Sequence, residues 1–184
     1  KTVWRSFAAW KCSESREVRT WLPERTPVDL TALFRGFSRR WADPAWQSPL
    51  ISAISWLVEA NSPKTALESR IILAQVALEL LSWVHIVETQ NLHTRTDFKR
   101  LSAAGRIRIL LQHIGVTAAV PSHFENLTSV LGGDASDGPG IITRVRNALV
   151  HSAEESRISL QGVKGPQLAE CGQLALHYTD LALL

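Results

Sequence analysis

Residues 64–90 constrain the fold more than any other part of the chain. Ile71, Ile72, Leu73, Val76, Leu78, Leu80, Leu81, Trp83, Val84, Ile86 and Val87 leave only a narrow polar line along a helix of this length. A helix apolar nearly all round belongs in the middle of a bundle, covered by neighbours on every side. The polar line, Glu68, Gln75, Glu79 and Ser82, advances by 7, 4 and 3 residues, so the four groups stack along one edge. A carboxylate carried into such a core pairs with a cation. Glu79 is therefore a candidate supporting residue beside an arginine.

The flanking segments carry the same helical period. Leu30, Leu33, Phe34, Phe37 and Trp41 share one face, which Asp43-Pro44 interrupts. Ser48-Pro49 has the cap-then-proline signature of a helix start, with Ile51, Ile54, Leu57 and Val58 inward and a stop near Asn61-Ser-Pro63. A fourth helix is expected from about Asp97 to His113, ended by Gly115. Gly132 to Gly140 reads as a flexible glycine-rich lead-in. A fifth helix covers about Ile141–Glu154 and a sixth runs from Gln167 to the end, with Gly162 to Pro166 as the turn between them. No strand pattern and no internal repeat is evident. The expected fold is an all-α, up-and-down helical bundle of about five or six helices.

Composition sets the broad class. Over 184 residues, 45% hydrophobic and 20% charged, the chain has the make-up of a soluble globular domain, and no membrane span is expected. Residues 1–46 carry nine lysines and arginines against five acids, and five of the seven tryptophans. They read as a basic, Trp-rich segment and lead-in helix, the end of a preceding region, with the bundle at 47–184. Aromatics among cations can stack bases, though they also anchor an arm against a bundle. Cys12 and Cys171 are far apart and lack metal-ligand spacing, which argues against a disulfide framework or a zinc site and for a reducing cytoplasm. The start without methionine and the end inside a helical pattern are those of a piece of a longer polypeptide.

Chemistry concentrates in Arg144-Val-Arg-Asn-Ala-Leu-Val-His151. At about 100° per residue, Ile141, Ile142, Val145, Ala148 and Leu149 form a complete core face. Thr143, Arg144, Asn147, Val150 and His151 fall on the opposite side, and Arg146 lies on the flank. Histidine titrates near neutrality and can act as base or acid, while arginine grips phosphate oxygens in a two-pronged fashion. Together they can cleave RNA through its 2′-hydroxyl without metal or cofactor. One histidine performs half of that task, so a second copy from a partner subunit is expected. His85, inside the apolar helix, reads as a hydrogen-bonded core residue, and His113, His123 and His177 receive no role.

Arg146-Asn147-Ala-Leu-Val-His151 resembles the Arg-x(4–6)-His signature of HEPN domains, helical modules of prokaryotic defence and toxin systems. The stretches Ile54–Asn61 and Glu68–Trp83 look like bacterial HEPN proteins of the ApeA-like kind. The resemblance covers residues from about 48 to 184. It implies that Arg146 and His151 are catalytic, that Asn147 assists, and that two protomers pair to join their motifs in one cleft. Arg144 also satisfies the spacing to His151; with Arg146 as the catalytic arginine, Arg144 becomes an RNA-binding second cation. The implied function is a metal-independent endoribonuclease, the effector of a defence or toxin–antitoxin system controlled by a sensor domain or antitoxin. The alternative is a non-catalytic helical module for dimerisation or RNA binding within a larger protein.

Overall fold

The apolar segment forms the central helix around which everything else is laid. The computed structural model of the protein describes residues 30–129, 136–150, 163 and 165–184. Eight α-helices are present among them: α1 (Leu30–Ala42), α2 (Pro44–Asn61), α3 (Leu67–Trp83), α4 (Arg95–Arg100), α5 (Ala103–His113), α6 (Glu125–Thr128), α7 (Gly138–Val150) and α8 (Gly165–Leu183). A π-helical segment, Val84–Thr89, continues α3. The described residues contain no strand, so the fold is all-α.

Helix α3 packs against α2, α5, α7 and α8. Ile71, Ala74, Ala77, Leu78 and Leu81 are fully buried. Part of the expected polar line is buried with them: Gln75 donates to Glu79 (3.0 Å) and Ser82 donates to the Leu78 carbonyl (2.6 Å). Small residues let α8 lie close to α3. The buried Thr179 hydroxyl of α8 reaches the Ala74 carbonyl of α3 (3.3 Å) as well as the Ala175 carbonyl of its own helix (2.8 Å). That buried hydroxyl is therefore satisfied within the core, as it must be to avoid a desolvation penalty.

Leu67–Thr89 is long and apolar enough to cross a membrane by length and hydropathy alone, a test that the buried core helix of a bundle also passes. In this fold it is a core helix, with 61% of its most apolar window buried by the rest of the bundle.

Several boundaries differ from the sequence reading. Helix α2 begins at Pro44, because Asp43 accepts from the Ala45 amide as its cap and Pro44 needs no donor in the first turn; Pro49 lies inside the helix. Its deeply buried stripe is Trp46, Leu50, Ala53 and Ala60, while Val58 is 57% exposed. On α1, Phe37 and Trp41 stack against each other at 5.9 Å, but Phe34 is 70% exposed. The expected fourth helix is two helices. Leu101 is extended, and Ser102 caps α5 by accepting from the Gly105 amide (3.1 Å). Gly115 does end α5: its φ of +73° lets its own amide reach Gln112 and that of Val116 reach Leu111.

The glycine-rich lead-in is also reinterpreted at its end. Gly138, Pro139 and Gly140 are buried and form the first turn of α7. A Cβ at Gly138 would overlap the hydroxyl and ring of Tyr178 on α8. Gly132 to Ala135 lie outside the described residues, as do Trp4, Trp10, Trp21 and Cys12. Gly165 and Pro166 likewise belong to the first turn of α8 rather than to a turn before it.

Gly138→Ala should lower stability by about 1–3 kcal/mol through this overlap, read as a lower denaturation midpoint with an unchanged slope.

Candidate functional site

Asp137 sets the position of the motif helix. Its carboxylate accepts from the Gly140 amide (2.8 Å) as the cap of α7, and from Arg108 of α5 through two nitrogens at 2.5 and 2.9 Å. Burial of the carboxylate works to raise its pKa, but the Arg108 and Gly140 hydrogen bonds and the Arg108 charge hold it below the ordinary value. Sequence reasoning missed this residue. The available signal was Asp137-Gly-Pro139, a capping acid followed by a first-turn proline.

Downstream of that anchor, Ile141, Ile142, Val145 and Ala148 are buried against the bundle, which leaves Arg144, Arg146 and Asn147 half-buried. The Arg146 guanidinium donates through Nη1 to the Asn147 side-chain oxygen at 3.2 Å. Arg146 Nε and the Thr143 hydroxyl, one turn apart, are buried without a hydrogen-bond partner among the described residues. An unmade hydrogen bond at such a group costs about 1–3 kcal/mol. Arg144 lies near α8, where its charge opposes the effect of burial on Cys171; burial dominates and pushes that thiol up to about 12. Cys171 is thus a core residue and no nucleophile at neutral pH. His151 lies outside the described residues.

Glu79 pairs with an arginine of α5 and not with the motif. Arg106 Nη1 lies 3.3 Å from its carboxylate, and Gln75 donates to the other oxygen. No spacing rule within α3 could have named Arg106, because the contact is between helices.

His85 and His113 come together although the sequence alone gives His113 no role. His85 Nε2 and His113 Nδ1 share a 2.8 Å hydrogen bond, and Trp46 meets the His85 ring edge-on. Burial first, then the charge of Arg40 and the His113 ring, pushes the His85 imidazole down to about 4. Arg40 is itself committed to the end of α8, donating to the Ala182 carbonyl at 2.6 Å. Among the described residues no cluster of three metal-ligating side chains is present.

These features define a helical domain whose cation-bearing helix is clamped to the bundle at its first turn. The chain belongs to the family described as the YopA C-terminal domain, whose profile matches residues 43–184. It is 30% identical over 137 residues to the SPbeta prophage-derived uncharacterized protein YopA of Bacillus subtilis (strain 168), an alignment covering 74% of this chain and 30% of that protein. The chain thus spans less than a third of the relative's length. No solved structure matches it.

The family match overturns the HEPN assignment, including its ApeA-like form. A short Arg-x(4)-His spacing is easily met on any helix.

The depressed His85 predicts a pH dependence. The unfolded imidazole binds a proton near pH 6.5 and the folded one only near 4, so the contribution of His85 to stability is full above 6.5 and is lost as the pH drops toward 4, while the Asp180 carboxyl, pushed up by burial to about 7, acts in the opposite sense over the same range. Between those limits the wild type should lose roughly 2–3 kcal/mol relative to His85→Gln, measured by urea titration of both proteins at several pH values.

Proposed function

We propose that this domain acts on RNA, holding a phosphodiester with Arg146 and Asn147 and cleaving the strand: His151 takes the proton of the attacking 2′-hydroxyl as the O2′–P bond forms, and His151 of the partner subunit protonates the 5′-oxygen as the P–O5′ bond breaks. The observation that carries this reading is the Arg146–Asn147 contact at 3.2 Å on a helix clamped by Asp137. A fixed guanidinium beside an amide suits a phosphate and a ribose hydroxyl, and Arg144 adds a second cation on the same helix. Arg146 Nε, buried and unpaired among the described residues, is a penalty that a purely structural arginine would avoid. The prophage setting of the Bacillus relative is compatible with an effector in conflict between phage and host, working as a homodimer in the cytoplasm under a sensor domain or antitoxin.

A second reading is a non-catalytic RNA-binding or dimerisation module.

Cleavage of labelled RNA in EDTA separates the two. The nuclease reading expects 2′,3′-cyclic phosphate ends, with rates lowered at least about 100-fold in His151→Ala and comparably in Arg146→Ala. Intact cleavage in His151→Ala would refute it; binding without cleavage by the wild type would leave the second reading.

A further inference from the structure

Two stretches away from the Arg146 motif carry the chain's positive excess, residues 1–46 and residues 91–108. Residues 91–108 contain five lysines and arginines and one acid, an excess of +4, whereas the whole chain carries +3. The structure divides these five cations into two groups. Arg106 and Arg108 point into the bundle, toward Glu79 and Asp137. Arg95, Lys99 and Arg100 are exposed on α4.

Helix α4 has little structural use for those three. Its last carbonyls are already met by Arg106, which donates to Phe98 (3.2 Å) and Lys99 (3.0 Å). Lys99 and Arg100 are therefore not needed to satisfy the helix end. Lys99 lies over the Trp83 ring at 5.7 Å, a contact worth little for an exposed ammonium. Asp97 accepts from the Thr94 hydroxyl (2.7 Å) and stands 3.7 Å from Arg100, in a pair that is exposed on both sides and so contributes little. Phe98 is fully buried and pins the helix to the core. A protein-binding surface would need an apolar anchor at its centre, but α4 turns its one large apolar side chain inward. Arg95 and Lys99 stand about one turn apart, and Arg100 follows further around the helix beside Asp97, on a backbone fixed by Phe98.

We infer that α4 is an electrostatic docking surface for the phosphate backbone of single-stranded RNA, with Arg95, Lys99 and Arg100 as its contacts. This rests on the reading that the domain acts on RNA, and it assigns the grip on the strand to a helix separate from the Arg146 motif.

The test measures binding of a labelled oligouridylate to the full chain across salt concentrations. The variants are Arg95→Gln/Lys99→Gln/Arg100→Gln together and, separately, Arg146→Ala, with melting curves to establish that each is folded. The triple variant should bind at least about tenfold more weakly, and the slope of log affinity against log salt should be shallower by about 2, as expected for three lost contacts to a single strand. Wild-type affinity and slope in a folded triple variant would overturn the inference while leaving the Arg146 reading intact. A loss in the triple variant with none in Arg146→Ala would uphold it and count against the Arg146 reading. Absence of any wild-type binding would overturn both. An acidic peptide bound through α4 as tightly as the oligouridylate would overturn the assignment of this surface to RNA.

Discussion

Covering α3 on all sides is the constraint from which the rest of the structure follows. A helix with buried residues around most of its circumference cannot lie at a surface without exposing apolar area. Helices α2, α5, α7 and α8 are the elements that meet this need. Their buried residues form one continuous core with those of α3, and a smaller cluster of Ile86, Val87 and Phe98 covers its far end. The π-helical segment falls at the junction of the two cores, where Val84 belongs to the first and Ile86 to the second.

Once α7 is required as part of that cover, its registry is set by few interactions. Asp137 caps it and ties it to α5, and Gly138 allows it to approach Tyr178. The apolar face of α7 then meets the core, and Arg144, Arg146 and Asn147 are left at the edge of the bundle. The placement of the candidate site is thus a consequence of packing, and its chemistry comes from the residues that packing does not use.

The all-α class, the central helix and the helix end at Gly115 were legible in the sequence because each rests on a local rule: periodicity, apolar circumference or a left-handed glycine. The Ser48-Pro49 signature misplaces the start of α2, where Asp43-Pro44 is the cap-and-proline pair in use, and periodicity hides the break between α4 and α5, although Ser102 was available as a cap. There the apolar period ran on across a short break and outweighed the cap. The partners of Glu79, Asp137 and His85 could not be read at all, since each pairing joins different helices. The HEPN resemblance rested on a six-residue pattern and two softer apolar stretches, Ile54–Asn61 and Glu68–Trp83, which do not outweigh a family match across residues 43–184.

The most direct measurement is a structure of the domain with single-stranded RNA bound. A phosphate-gripping α7 predicts a phosphate oxygen within about 3 Å of the Arg146 guanidinium, with Asn147 turned to the ribose or the same phosphate. RNA bound elsewhere, with Arg146 still donating to Asn147 as in the free protein, would contradict it.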